Sequence, residues 1–373
     1  MRLQRVDLIH FSVLVFTLIL SAILPVSALP NYGHKIIQSS GAINYPMLEM
    51  AKDLHGFTIS QSGFWYNKWK PEYFQQLRSW GFNTILIPVW WGKYESDNGV
   101  YDESLLQKIR DGVDMCKIEG FEVIISIRVC HDDTDNYYSD WPNNMPLPDY
   151  ANGVGDYSTG EGRERFKTFI GWIAQRFPDC IICPWHMPYH MDSCSVGSSA
   201  WNTWHTVTFP QLLNEIRKYN TRPVIFVPIH QGKAGGTYFT LHDPFSDSNV
   251  WYGFGHQLDS KVDYGSDWDY DYALIDNRYT GIKRWKENFP NVQMISVEFA
   301  PLSFTSGTTV SQSRLDCLAY TCSLMNQYRC GWLWWRISLL WSHIGVGHNN
   351  LITDPDTFTP HSGLLETLQD GLP

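Results

Sequence analysis

Short runs dense in Val, Ile, Phe and Trp recur along this chain, and between them lie longer stretches whose apolar residues return every three or four positions. The runs predict strands over 54–60, 83–89, 121–129, 180–187, 223–229, 250–254, 292–299 and 331–340. The stretches predict helices over 70–80, 163–177, 209–219, 272–289, 310–328 and 363–368, with one more from Asp102 to Gly120. Punctuation supports these limits. Pro71 suits a first helical turn, Asp102 a helix cap, and Gly81 and Gly120 the stops. The pattern loosens between 232 and 249, where a fifth helix is expected to be short or replaced by loop, and a long polar loop is expected over 131–160.

Eight strands alternating with about as many helices make a parallel α/β protein, and the count fits both an open doubly wound sheet and a closed barrel. No G-x-G-x-x-G joins a strand to a helix, and polar or aromatic residues gather just after strands. Both features favour a single (β/α)8 TIM barrel over 54–368 with its site on that face. A leader segment, 29–53, would precede it.

Composition changes this picture in three ways. At 43% hydrophobic and 18% charged residues the chain reads as globular. A net charge of −10 without a basic run argues against a nucleic-acid surface. Residues 1–28 combine arginines, an apolar stretch and Val26-Ser27-Ala28, which predicts a secretory signal peptide and an extracellular protein; left uncleaved, the same stretch would be a membrane anchor. Eight cysteines fit an exported protein in which some pair, although the Cys180-Ile-Ile-Cys183 pair lies in a strand-like run and reads as buried thiols or a structural bridge before a metal or redox motif.

The run 291–304 carries one carboxylate, Glu298. Burying an ionised carboxylate costs several kcal/mol unless it is paired, so its expected place is where the strand opens into a cleft. In a barrel, the other strand ends bring Trp90 and Trp91, His131 and Asp132, His186 and Met187, His230, His256, and Trp334 and Trp335 towards it. Imidazoles and indoles around one carboxylate suit a hydroxyl-rich polysaccharide or oligosaccharide better than a phosphorylated ligand. No cofactor motif is present. The acidic clusters 131–135 and 267–271 lack the glycine and terminal Glu of a calcium loop, so no metal is expected.

The order of Gly81-Phe82-Asn83 into Ile87-Pro88-Val89, Gly99-Val-Tyr101-Asp102, Gly120-Phe121 into a strand ending at His131, Val250-Trp-Tyr252 running to His256, Val297-Glu298-Phe299 and a Trp-rich last strand resembles glycoside hydrolase family 5. The resemblance implies retaining hydrolysis of β-glycosidic bonds, with Glu298 as nucleophile, no cofactor, and His131 and His256 at substrate-site positions, while Trp335, Trp91 and Trp185, at or near strand ends, are the further substrate-binding candidates. It also implies an acid/base Glu within Asn-Glu-Pro after strand four and an arginine on strand two. Here His186-Met187-Pro188 and Leu86 stand at those places. Substitute acids are Asp132 or Asp133, Asp192, Glu95 and His186. The alternative is a catalytically impaired carbohydrate-binding or structural barrel.

Overall fold

The computed structural model describes residues 35–36, 43–44, 49–60, 62–97, 99–128, 160–186, 199–228, 239, 242–258, 272–301, 310, 312–339 and 350–373. The chain divides into two compact units, 1–47 and 48–373. In the first, Lys35–Ile36 and Ile43–Asn44 pair antiparallel. The predicted signal peptide and the loop 131–159 lie outside the described residues, as does 229–241 apart from Phe239, and with it the expectation of a short or absent fifth helix.

In the second unit eight parallel strands close into a barrel: β1 His55–Ile59, β2 Thr84–Trp90, β3 Glu122–Arg128, β4 Ile181–Cys183, β5 Val224–Phe226, β6 Val250–Leu258, β7 Met294–Pro301 and β8 Cys330–Ile337, each neighbouring the next and β8 returning to β1. Closure, which pattern alone left open against a doubly wound sheet, rests on the β8–β1 ladder that pairs Trp332 with His55 and Trp335 with Thr58. The longer helices are α1 Pro71–Ser79, α2 Glu103–Ile118, α3 Gly160–Arg176, α4 Phe209–Arg217, α5 Tyr272–Asn288, α6 Gln312–Gln327 and α7 Ser362–Asp370. Asp102 caps α2 as predicted, accepting from the Leu105 amide at 2.8 Å, and that hydrogen bond draws its carboxyl below the ordinary range.

Side-chain parity sorts the apolar residues into two layers. Leu86, Ile124, Ile181, Ile225, Trp251, Val297 and Leu333 fill the barrel interior, while a larger, aromatic-rich set packs between strands and helices. Most of the abundant tryptophan is spent in that outer layer. The floor is the turn Ala51–Asp53, whose Ala51 amide donates to Gln293 Oε1 at 3.1 Å. Gly331 permits this: a Cβ there would sit 2.0 Å from the Ala51 carbonyl oxygen.

β6 runs four residues beyond its expected end. Gly253 interrupts the apolar pattern, yet it stays in the strand because a Cβ would meet Val227 and Ile225 at 2.7 and 2.8 Å. β4 is shorter than expected, but its continuation stays against β3 through the His186 amide, which donates to the Ile127 carbonyl at 2.8 Å. Among the described residues the cysteines at 116, 180, 183, 317, 322 and 330 are free and buried, and burial pushes the Cys180 thiol up to about 12. Cys180 and Cys183 are thus buried thiols, one of the two readings open from their spacing.

Candidate active site

Strand parity also builds the site. On β3, Ile124 faces the barrel interior, and so do Ser126 and Arg128, two and four residues on. On β8, Leu333 faces inward, and Trp335 follows on the same side. On β7 the alternation is broken. Val297 belongs to the interior and Phe299 packs outside against Trp332 and Trp334, so Glu298 between them has no regular slot. The ladder to β8 shifts register between Ser296 and Phe299, and the ladder to β6 shifts opposite the same place. This irregularity turns Glu298 inward beside Val297, the re-aiming for which β-bulges recur at functional sites.

Glu298 is 5% exposed, and its Oε2 lies 2.9 Å from His186 Nε2. The fully buried His186 ring reaches Ser126 Oγ with its other nitrogen, Nδ1, at 2.8 Å. A neutral ring protonated on Nε2 is one arrangement that satisfies all three groups. The Ser126 hydroxyl donates to Nδ1, and the Nε2–H of a neutral imidazole donates to an ionised Glu298. β3, the end of β4 and β7 thereby hold one carboxylate across the barrel mouth. The His186 ring lies 6.3 Å from that of Trp335, so the indole borders the same centre. The Trp335–Arg336 peptide is cis.

The other sequence candidates separate. Glu95 is fully buried away from this centre, accepting from Arg165 Nε at 2.8 Å, from the Gly99 amide at 2.9 Å and from the Trp91 indole. Trp91 packs on Phe166 and Phe169, and Trp185 sets its edge against Trp204; both are buried in the outer layer and present no ring to a cleft. Of the three tryptophans named as sugar platforms, Trp335 alone is partly exposed. His256 lies on β6, level with Phe299, with only its backbone described. His131, Asp132, Asp133, Met187, Asp192 and His230 are outside the described residues. Leu86 lies in the apolar interior.

Two participants escaped the sequence reading. Ser126 and Arg128 sit inside an apolar run read simply as a strand, although Arg128 is as odd an occupant of a buried strand as Glu298. The argument that singled out the glutamate applies to the arginine unchanged. Ser126 carries no comparable signal, because its partner is sixty residues away.

A closed parallel barrel with a buried, oriented carboxylate where strand seven opens defines a (β/α)8 protein whose site lies on the C-terminal face of its strands. Residues 48–339 match the cellulase family, glycosyl hydrolase family 5, and the chain belongs to it. Solved structures of similar fold include a broad-specificity endoglucanase from Clostridium cellulovorans, with a TM-score of 0.64 at 16% identity over 87% of this chain and 95% of that one. Cel5A of Thermotoga maritima in complex with mannotriose gives 0.62 at 16% identity over 85% and 98%. A Bacteroides ovatus xyloglucanase in complex with a heptasaccharide gives 0.64 at 14% over 86% and 75%. No curated protein sequence matches the chain.

Proposed function

We propose that this protein is exported and hydrolyses a β-linked glycan, with Glu298 as the nucleophile of a retaining mechanism. The observation that carries the reading is Glu298 itself, buried, turned into the barrel mouth and held by the Ser126–His186 chain. A nucleophile must be ionised and aimed. The His186 Nε2–H supplies both, taking the supporting role that the resemblance gives to an arginine on strand two, where Leu86 stands. The membership in glycosyl hydrolase family 5 and the glycan-directed relatives point to the same substrate class.

In this scheme a Glu298 oxygen attacks the anomeric carbon, the bond to the leaving oxygen breaks, and water later displaces the glycosyl ester. The leaving oxygen needs a proton. His186 is poorly placed to give it, because its Nε2 lies 2.9 Å from the nucleophile, whereas retaining sites hold the two groups about 5 Å apart to seat the sugar between them. Glu95 is committed to Arg165. Asp132 and Asp192, which follow strands three and four in sequence, are the acids this reading assigns. A second reading, a glycan-binding barrel without turnover, is favoured by the same contact, since His186 occupies an oxygen of Glu298 while Met187 stands where the resemblance places the acid.

A 2,4-dinitrophenyl β-cellobioside separates the two, because its leaving group needs almost no protonation. Expected are a burst of dinitrophenol, a covalent glycosyl adduct by mass spectrometry, and the loss of both in Glu298→Gln. Asp132→Asn or Asp192→Asn should spare the burst and depress turnover of unactivated oligosaccharides. Absence of burst and adduct across β-gluco, β-manno and β-xylo aryl glycosides would leave the binding reading.

A further inference from the structure

Beside the Glu298–His186 centre lies a small pocket whose lining includes Thr58, Ser60, Trp90, Arg128, Trp335 and Arg336, and no carboxylate among its described residues. Arg128 is 6% exposed. Its guanidinium lies over the rings of Trp90 and Trp335, at 5.9 and 5.3 Å from their centroids, while its buried Nε has no hydrogen-bond partner among the described residues. A second polar atom in the lining, Thr58 Oγ1, is likewise buried without a partner. Arg336 brings another guanidinium over Trp335 at 5.4 Å.

Arginine keeps its charge in any protein environment, so Arg128 is a buried cation whose contacts among the described residues are aromatic faces. Cation–π contact does not replace the acceptor that an N–H requires. Two orphaned donors, two cations and an indole shared with the carboxylate centre make a site complementary to an oxyanion attached to a sugar ring. We propose that this pocket binds the anionic substituent of an acidic β-linked glycan, a uronate carboxylate or a sulfate ester, so that the protein prefers charged saccharides to neutral ones. The inference rests on the glycan reading above and narrows its substrate class.

The pocket also has a sign to its selectivity. Glu298, beside it, repels a free anion, so the substituent must arrive on a ring that Trp335 can stack. Inorganic sulfate by itself should therefore bind worse than a sulfated sugar.

The test is equilibrium binding by calorimetry at low salt, using cellobiose, cellobiouronate and cellobiose 6-sulfate on Glu298→Gln, which holds ligands uncleaved, and inorganic sulfate on both that variant and the parent, which keeps the Glu298 charge. One or both acidic disaccharides should bind at least about tenfold tighter than cellobiose, as charge-assisted hydrogen bonds allow, and added salt should narrow the gap. Arg128→Met, placed in the same background, should remove the preference for the acidic disaccharides, and Arg128→Lys should retain part of it. Without ligand, Arg128→Met should melt at or above the parent temperature, because a buried charge is gone; a lowered melting temperature with no change in sugar preference would make Arg128 purely structural and overturn the proposal. Equal binding of neutral and acidic disaccharides would also overturn it, leaving the glycan reading intact. Inorganic sulfate binding as tightly as cellobiose 6-sulfate, with cellobiose not binding at all, would sink both.

Discussion

Replacing His186 by Phe tests the centre most directly, since the ring shape is kept and both nitrogens are lost. Two consequences follow from the distances. The Ser126 hydroxyl loses its 2.8 Å partner, worth about 1 kcal/mol. Glu298, 5% exposed, loses the donor at 2.9 Å, and breaking a buried charged pair from one side costs about 3–5 kcal/mol. Replacing Glu298 alone by Leu leaves only the imidazole N–H unpaired, at about 1–3 kcal/mol. In the double variant two apolar side chains of similar shape face each other, and only Ser126 remains orphaned, so the total should fall back to about 1–2 kcal/mol. The single-variant losses sum to about 5–9 kcal/mol, so they are not additive, and the coupling is at least about 3 kcal/mol. Urea unfolding of the four proteins at neutral pH, with slopes compared to confirm equal exposure on unfolding, measures it. A coupling below about 0.5 kcal/mol would refute the assigned hydrogen bond and with it the oriented nucleophile.

Two further predictions concern groups outside this centre. Arg165→Met should lower stability by about 3–5 kcal/mol, seen as a melting temperature reduced by about 5–10 °C, because it strands the fully buried Glu95 carboxylate; a loss under about 1 kcal/mol would free Glu95 to serve as an acid. Burial lowers His55 to about 4 against the partial opposition of Asp53, so the folded protein keeps this ring neutral where the unfolded chain takes up a proton. Its contribution is complete above about pH 6.5 and fades as pH falls towards 4, by about 3 kcal/mol in all. Urea midpoints at pH 7 and 4.5 should show a smaller acid loss in His55→Phe than in the parent, and equal losses would count against the buried neutral ring.

Much of the fold was legible because local chemistry declares it. Asp102, Gly81 and Gly120 bounded α1 and α2 closely, since caps and positive-φ stops act through the nearest residues. Gly81 and Gly120 adopt φ of 97° and 81°. β6 was read too short because its apolar run stops at Phe254, whereas the continuation to Leu258 is held by pairing with β7. Trp91 and Trp185 were expected at the substrate because they lie near the ends of strands two and four. Each instead turns outward, packing on Phe166 and Phe169 in one case and Trp204 in the other.

The sequence by itself determined the alternating architecture, the family and the one carboxylate that a buried strand would not carry without cause. Each follows from spacing and composition, which act over a few residues at a time. Tertiary structure alone decided that His186 faces Glu298 and is held by Ser126, that Glu95 is locked by Arg165, and that Arg128 shares a pocket with Trp335. Those pairings join residues from sixty to more than two hundred positions apart. They depend on barrel closure and on a register shift in β7, for which pattern within one strand holds no information.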